Sequence, residues 1–198
     1  MVLHRNDLDC DPFKQFLKWY ADVKDQKVFE YDAMTLATAT AAGRPSSRTV
    51  LLKSISDGFI FYTNYESRKG VELAENPHAA ALFYWKEVGR QVRIEGRVSK
   101  ISREESSAYF ATRPRESQVG ALASFQDQKL ASRKELEDAF KRVSTLYEDK
   151  QIPIPEYWGG YCLIPELFEF WESAPHRLHD RFEYVKSNNQ WEIHRLSP

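Results

Sequence analysis

Apolar side chains recur every three or four residues near the start of the chain, which is the spacing of an amphipathic helix. The stripe consists of Phe13, Phe16, Leu17, Tyr20 and Val23. Asp11 and Pro12 precede it, and they suit an N-cap and the first helical position. We therefore expect a helix that begins at Pro12 and packs its apolar face on a core.

From residue 33 onward the pattern changes to short segments rich in β-branched and aromatic residues, with turn signals such as Asp57-Gly58 between them. These segments predict strands at 33–41, 46–56, 59–63, 78–86 and 91–101. Between the third and fourth strands we expect a short helix at 67–75, because Asn76-Pro77 would end it.

Residues 102–149 return to helical spacing. Because the residue before a proline avoids helical angles, the pair Arg113-Pro114 predicts one helix that ends near Arg113 and another that begins at Pro114. Ser132 and Glu135 fit a capping box for a further helix. The apolar stripe of that helix is Leu136, Phe140, Val143 and Tyr147.

Three more strands are expected at 160–171, 181–186 and 190–196, with a turn at Ser187-Asn188-Asn189. Strands joined mostly by short turns, with helices grouped elsewhere, predict an antiparallel barrel in an α+β protein. Neither GxGxxG nor a Walker sequence is present, so a parallel nucleotide-binding fold is not indicated. We expect a single domain over 1–198, made of an N-terminal segment and helix (1–32), main barrel strands (33–101), a helical region (102–150) and C-terminal strands (159–198).

Composition narrows the class of partner. The formal net charge is −1, which gives no global field for nucleic acid. Positive charge is instead paired locally, which suits small anionic ligands; the pairs are Arg48 with Lys53, Arg68 with Lys69, Arg113 with Arg115, and Arg177 with Arg181. No apolar run is long enough to span a bilayer. The first ten residues carry charges instead of a secretory apolar region, and the two cysteines have no metal-ligand spacing, so we expect a cytoplasmic protein without a metal.

Arg48 and Lys53 lie five residues apart on the predicted strand 46–56. An odd separation sends two side chains to opposite faces of a regular strand. The parity predicts two anionic sites, one on each side. Either residue taken alone is more often a charge at the rim of a sheet.

Two other groups of residues suit phosphate binding. Ser67-Arg68-Lys69 lies where a short helix begins, and free backbone N–H groups with two cations and a hydroxyl form an anion cradle. Tyr109, Arg113 and Ser117 combine a phenol, a guanidinium and a hydroxyl, which suits a phosphomonoester. The alternatives are a solvated first helical turn and an ordinary amphipathic helix pair.

The densest chemistry lies in WESAPHRLHDR (171–181), which taken alone would fit a solvated hairpin arm. Together with other stretches it resembles the pyridoxamine 5'-phosphate oxidases, the FMN enzymes that make pyridoxal 5'-phosphate. The other stretches are SSRTVLLK (46–53), FYTNYESRKG (61–70), FYWKEVGRQVRIEG (83–96), YFATRPRESQVGALAS (109–124) and GGYCLIPELFEFW (159–171). The matches run in order from about residue 8 to the end.

The resemblance implies an FMN-binding split barrel that works as a homodimer with flavin between subunits. The positions that it implies for FMN are Arg48, Thr49, Val50, Leu51, Leu52, Lys53, Tyr62, Thr63, Arg68, Lys69, Gln91, Gln126, Trp171 and Arg181. Those implied for the substrate are Lys53, Tyr109, Arg113, Ser117, Arg177, Leu178 and His179. Arg177 and His179 are the implied catalytic residues, which hold the pyridine ring against the flavin.

The expected reaction is oxidation of pyridoxamine 5'-phosphate and pyridoxine 5'-phosphate by O2, giving pyridoxal 5'-phosphate, H2O2 and, from the amine, ammonia. One alternative is another split-barrel FMN oxidoreductase, such as a phenazine-pathway oxidase. Another is a non-catalytic protein that binds FMN or pyridoxal phosphate. The phosphate-binding set of Lys53, Tyr109, Arg113 and Ser117 favours a phosphorylated substrate.

Three features depart from the family pattern. Asp127 stands where relatives carry a serine near the flavin phosphate, and a carboxylate there would repel a phosphate unless it turns away or is neutralised. Ser173-Ala174-Pro175 replaces a loop that usually contains glycine. The segment 1–9 has Arg5 but no tyrosine, so the arm that covers substrate in many relatives is expected to be absent or supplied differently.

Overall fold

The computed structural model describes residues 3–188 and 190–198, and within these it contains five α-helices and nine strands. The helices are α1 (Pro12–Asp25), α2 (Arg68–Glu75), α3 (Arg103–Thr112), α4 (Arg115–Ala123) and α5 (Arg133–Leu146). The strands are β1 (Ala33–Ala39), β2 (Pro45–Leu51), β3 (Ser54–Ile55), β4 (Phe59–Asn64), β5 (His78–Trp85), β6 (Arg90–Lys100), β7 (Trp158–Glu172), β8 (Asp180–Ser187) and β9 (Gln190–Leu196).

Helix α1 begins and packs as its sequence predicts. The Asp11 carboxylate accepts a hydrogen bond from the Phe13 N–H at 2.9 Å, and Pro12 takes the first helical position. Phe16 is fully buried, with its ring 4.9 Å from that of Phe59 and 5.1 Å from that of Phe83. The burial of Phe16 shows that α1 covers the core. Removing so enclosed a ring would cost about 3–5 kcal/mol of stability.

All strands pair antiparallel in the order β2-β1-β5-β6-β7-β4-β3, with β8 on β7 and β9 on β8. β7 is the branch point, because residues 158–163 pair with β4 and residues 167–172 pair with β8. The register between β6 and β7 shifts at Glu95/Gly96, where a Cβ on Gly96 would lie 2.0 Å from the Ile164 carbonyl oxygen. The sheet curls into the antiparallel split barrel that the sequence predicts.

Two apolar clusters hold the elements together. The larger one fills the barrel and includes Phe16, Phe59 and Phe168. The smaller one, built on Phe110, Val119, Ile152 and Trp158, fixes α3 and α4 against the start of β7. The second cluster therefore sets the position of the helical region relative to the barrel.

The helix break predicted at Arg113-Pro114 is confirmed, since α3 ends at Thr112 and α4 begins at Arg115. The single strand expected at 46–56 is wrong. β2 ends at Leu51: the Leu52 N–H still bonds to Asp32, the next residue opposite in the register, but the Lys53 N–H turns to the Ile60 carbonyl of β4. In the predicted turn between β8 and β9, Asn189 lies outside the described residues.

Among the described helices, none combines the length and the apolar character needed to cross a membrane.

Candidate functional site

A cavity of about 810 Å³ opens between β2, β4, α2 and the helices α3 and α4. It is lined by side chains from distant parts of the sequence, which the sheet and the smaller apolar cluster bring together. The predicted cofactor and substrate positions on its wall are Arg48, Thr49, Val50, Leu51, Lys53, Tyr62, Thr63, Arg68, Lys69, Tyr109, Arg113, Ser117 and Gln126.

The lysine end of this cavity is formed by Thr63, Arg68 and Lys69. Lys69 is 3% exposed, and among the described residues its ammonium donates to two hydroxyls, Thr63 Oγ1 at 3.2 Å and Ser67 Oγ at 3.1 Å. Burial lowers the pKa of Lys69, since a charge without a bonded counter-ion is costly away from water. Ser67 also caps α2, so the buried ammonium lies beside the positive end of a helix.

Arg48 and Arg68 are tied to one buried carboxylate, that of Glu72. Glu72 accepts hydrogen bonds from Ser46 Oγ at 2.6 Å and from Arg68 Nε at 2.9 Å, and it lies 3.4 Å from an Arg48 nitrogen. Burial by itself would raise the pKa of Glu72, but hydrogen bonds from Ser46, Thr38 and Arg68 and the charge of Arg68 bring it down to about 2. Glu72 is therefore ionised and holds both arginines in place.

The arginine end of the cavity is formed by Tyr109, Arg113 and Ser117. The Tyr109 ring stacks on that of Tyr62 with centroids 3.8 Å apart, and Tyr62 stacks on Trp158 at 5.4 Å. The Arg113 guanidinium lies 4.7 Å from the centroid of the Trp158 ring.

Arg113 is the notable group at this end. Its Nη1 atom is buried, and within the described part of the chain it has no hydrogen-bond partner. Burial lowers the pKa of Arg113, while the neighbouring Tyr109 raises it. A buried guanidinium N–H without an acceptor is costly, which makes this position suited to an anion.

The cavity wall includes both cations of the predicted strand 46–56, Arg48 and Lys53. They were expected on opposite faces, and sharing this cavity does not contradict that, because its wall takes in every residue from 46 to 51. Burial alternates along 46–53, with Arg48 on the more buried side, which ends at the buried Leu52, and Lys53 on the exposed side. The two cations do have different partners, since the Lys53 ammonium lies 3.2 Å from Asp32 and Arg48 is held by Glu72.

A second group of predicted positions lies on the other half of the sheet. Gln91, Trp171 and Arg181 are register partners across β6, β7 and β8. The Arg181 guanidinium donates a hydrogen bond to the buried Glu169 carboxylate at 2.8 Å, and the Arg93 guanidinium donates another to the same carboxylate. Burial raises the pKa of Glu169, but the hydrogen bonds from Arg181 and Arg93 outweigh it, so the carboxylate is ionised and fixes Arg181.

Arg177, Leu178 and His179 follow on the turn before β8. Arg177 has a φ of +61° and is exposed, and Leu178 is 67% exposed. A positive φ is strained for a residue with a side chain, so the turn is held by its surroundings. The His179 ring lies 4.6 Å from that of Trp171, and its Nδ1 accepts a hydrogen bond from the Ala174 N–H at 3.2 Å.

This second group stays apart from the cavity. Of the residues that the structure describes, the cavity wall includes none of these six: Gln91, Trp171, Arg177, Leu178, His179 and Arg181. Leu52 is also absent from the wall, because it is buried in the main core. The chain therefore brings the predicted phosphate-binding residues together and places Arg177 and His179, the predicted catalytic pair, elsewhere.

Among the residues of the site that sequence reasoning missed, Glu72 and Trp158 have the clearest roles. Glu72 could have been found, since Arg68 and Glu72 form an i,i+4 pair on a predicted helix. Trp158 lines the cavity beneath Arg113, but it lies just before the predicted strand 160–171 and carries no local signal of this role.

Family models cover most of the chain. A model described as pyridoxamine 5'-phosphate oxidase matches residues 24–147. A second, described as the pyridoxine 5'-phosphate oxidase C-terminal dimerisation region, matches residues 158–198. The second match contains the whole of the 171–181 segment.

Individual proteins give the same picture. A pyridoxine/pyridoxamine 5'-phosphate oxidase from Paraburkholderia phytofirmans is 53% identical over 97% of this chain and 91% of its own length. Its counterpart from Rippkaea orientalis is 50% identical over 99% and 93%. Among solved structures, PhzG from Burkholderia lata in complex with tetrahydrophenazine-1-carboxylic acid has a TM-score of 0.93 at 34% identity, covering 100% of this chain and 98% of that one.

A related FMN-binding protein from Nostoc punctiforme has a TM-score of 0.77 at 16% identity, over 95% of this chain and 98% of that one. At that identity the likeness concerns the fold alone.

Proposed function

The chain belongs to the pyridoxamine 5'-phosphate oxidase family, and from this premise we propose that it oxidises pyridoxamine 5'-phosphate and pyridoxine 5'-phosphate to pyridoxal 5'-phosphate. FMN is the proposed cofactor and O2 the proposed acceptor. The products are H2O2 and, from the amine, ammonia.

The observation that carries the proposal is a cavity whose wall holds two cationic groups with different neighbours, Lys69 and Arg113. At the lysine end a buried ammonium has hydroxyls as hydrogen-bond partners, and at the arginine end a buried guanidinium nitrogen has no acceptor among the described residues. A single monoanion would satisfy one end at most. Two phosphate-bearing molecules, FMN and the substrate, would satisfy both.

The residues present fit FMN. Lys69 and Arg68, at the start of α2, would hold its phosphate, with Arg48 beside them. When bound, FMN would supply the hydride acceptor for an oxidation in which oxygen is the final acceptor. The protein supplies charge and position, because Glu72 holds Arg48 and Arg68 in fixed orientations.

The substrate phosphate is assigned to the arginine end. Arg113 would donate from the nitrogen that is now without an acceptor, and Lys53, Tyr109 and Ser117 would add donors around the same anion. Binding there would hold the pyridine ring at a fixed distance from the flavin. Holding the reacting carbon in place in this way is a large part of what such a site contributes.

Arg177 and His179 are proposed to orient the ring and the reacting substituent. Because they lie outside the cavity of their own protomer, we propose a homodimer in which Arg177 and His179 of the partner subunit complete each site. The match of residues 158–198 to a dimerisation region supports this arrangement.

A second candidate is oxidation of a phenazine precursor, which the similarity to PhzG favours. The relatives that are 50% and 53% identical to this chain favour the first candidate, oxidation of pyridoxamine 5'-phosphate and pyridoxine 5'-phosphate. A phenazine precursor with a ring carboxylate is also anionic, so the arginine end alone does not separate the two reactions.

The test is a substrate panel with flavin-loaded protein under air. Pyridoxamine 5'-phosphate should yield pyridoxal 5'-phosphate and H2O2 in equal amounts, while pyridoxamine without phosphate should react with a KM roughly ten- to a hundredfold higher. Turnover of dihydrophenazine or tetrahydrophenazine carboxylates in preference to pyridoxamine 5'-phosphate would favour the second candidate. Flavin binding without turnover of any of these compounds would indicate a binding protein.

A further inference from the structure

The carboxylate of Asp127 places a negative charge at the start of α2. It lies on the loop between α4 and α5, and its Oδ2 accepts a hydrogen bond from the Arg68 N–H at 2.8 Å. Arg68 is the first residue of α2, where a free N–H group is suited to an anion. The φ of Asp127 is +69°, a conformation that aspartate and asparagine tolerate better than most residues. The carboxylate thus turns toward the cavity's lysine end.

The charge of Asp127 also acts on the buried lysine. Burial is the main influence that lowers the pKa of Lys69, and Asp127 is the leading charge that raises it. Both residues line the cavity of about 810 Å³. Asp127 is therefore a nearby counter-ion for an ammonium whose hydrogen bonds go to hydroxyls.

The two carboxylates at this end are held very differently. Glu72 is buried and is bonded by two hydroxyls and two arginines. Asp127 is exposed, and in the described part of the chain its side chain accepts one hydrogen bond, from the Arg68 N–H. Glu72 is a fixed part of the cradle, whereas Asp127 can leave it by a rotation of its side chain.

We propose that Asp127 is an intramolecular competitor for the flavin phosphate, which holds the start of α2 in the empty protein and has to be displaced when FMN binds. The proposal rests on the proposed function, because it takes FMN as the ligand of the lysine end. It assigns to one residue a role in setting cofactor affinity.

Removing the charge should tighten FMN binding and leave flavin without phosphate unaffected. Asp127→Asn keeps an oxygen acceptor for the Arg68 N–H and suits the positive φ, so the change isolates the charge. Because Asp127 is exposed and screened, we expect the Kd for FMN to fall by about three- to tenfold. Riboflavin, which lacks the phosphate, should bind both proteins equally.

The matched control is Glu66→Gln. Glu66 is an exposed carboxylate one residue before the cap of α2, and it does not contribute to the wall of the large cavity. The Glu66→Gln substitution removes one negative charge near the start of α2, as Asp127→Asn does, but leaves the hydrogen bond of the Arg68 N–H in place. Titrations of flavin-free wild type, Asp127→Asn and Glu66→Gln with FMN and with riboflavin, followed by flavin fluorescence, give the six affinities.

Tighter FMN binding in Asp127→Asn alone, diminishing as salt is raised, supports the proposal. Unchanged or weaker FMN binding overturns it and makes Asp127 a helix cap. An equal gain in Glu66→Gln, or an equal gain for riboflavin, also overturns it, since the effect would then not be competition for one phosphate.

A titration with inorganic phosphate separates this proposal from the proposed function. Phosphate should raise the unfolding temperature of Asp127→Asn more than that of wild type, whether or not flavin binds. Failure of both proteins to bind any flavin would remove the proposed function, and the phosphate result would then decide the competition. An equal phosphate effect in the two proteins would overturn it.

Discussion

The cavity wall and the 171–181 segment differ in the burial and the hydrogen bonding of their side chains. Around the cavity, Lys69 and Glu72 are buried and their polar atoms are bonded within the protomer. On the segment, Arg177 is exposed on a turn with positive φ, and Leu178 is among the most exposed apolar side chains of the described residues. A protomer thus gathers the proposed anion-binding groups by itself and keeps Arg177 and His179, the proposed reactive pair, outside its cavity.

The two regions suit different tasks, phosphate binding in the cavity and contact with the reacting ring on the segment. A phosphate-binding group needs a fixed position and partners, and α2, β2 and α4 supply these for the residues proposed to bind the two phosphates. Arg177 and His179, which we propose act on the reacting ring, lie on the turn before β8, as a site completed by a second copy of the chain would require. Changes on the two sides should therefore have separable effects.

The largest effect is expected at Arg177. Arg177→Ala should lower turnover by about a hundred- to a thousandfold, since the proposed site would lose the charged side chain that orients the reacting ring. The Kd for FMN should change by less than about twofold, because Arg177 does not line the cavity. Steady-state kinetics and flavin titration measure the two quantities. A loss of flavin that accounts for the loss of turnover would break the comparison.

Arg113 should give the next largest effect, and on binding instead of turnover. Arg113→Ala should raise the KM for pyridoxamine 5'-phosphate by roughly ten- to a hundredfold, because it removes a charge-assisted hydrogen bond to the phosphate. The affinity for FMN should stay close to that of wild type. Arg133→Ala is the matched control, since Arg133 is a highly exposed arginine on α5. Equal behaviour of the two variants would contradict the assignment of the arginine end.

Arg48 and Lys53 sharpen the comparison within the cavity. Arg48→Ala should weaken FMN about tenfold, whereas Lys53→Ala should keep FMN and weaken the phosphorylated substrate by a similar factor. The two cations line one cavity but belong to different ion pairs, with Glu72 and with Asp32. Flavin titration and the KM of the flavin-saturated variants are the measurements. Loss of flavin in Lys53→Ala with an unchanged KM would place Lys53 at the lysine end.

The smallest effect is on stability in acid. The pKa of Glu72 is held at about 2, below its ordinary value near 4.5, mainly by hydrogen bonds that outweigh burial. Its ionised form therefore stabilises the fold above about pH 4.5, and this contribution is lost as the pH falls toward 2. Wild type should exceed Glu72→Gln by about 1–2 kcal/mol at pH 7, and only about a quarter of that gap should remain at pH 2.5. Urea unfolding at both pH values measures it, and a constant gap would contradict the ion pairing.

What the sequence predicted depended on how local the cause was. The start of α1 and the break at Arg113-Pro114 follow from capping and proline sterics, which act within a few residues. The end of β2 does not, because the Lys53 N–H bonds to the Ile60 carbonyl, whose position depends on the folded sheet. The parity of Arg48 and Lys53 is a local property, and the alternation of burial along 46–53 agrees with it.

The site shows the same limit. The residues of the cavity could be predicted as a set, since charge pairs and the family pattern mark them in the sequence. Their separation from Arg177 and His179 agrees with the family resemblance, which implies a site shared between two chains. Residue spacing alone does not predict it, because strand order decides which halves of the sheet meet. The turn of Asp127 onto the Arg68 N–H is a further case, set by a loop conformation with positive φ.

Subunit complementation tests the central claim most directly. A chain carrying Arg113→Ala and a chain carrying Arg177→Ala are co-expressed with different tags, and the mixed dimer is isolated. If each site combines a cavity with the partner's reactive pair, one of the two sites is intact, and the mixed dimer should show about half of wild-type activity. If both residues serve a site within one protomer, each site keeps one defect. A mixed dimer no more active than the two parent variants would then contradict the account.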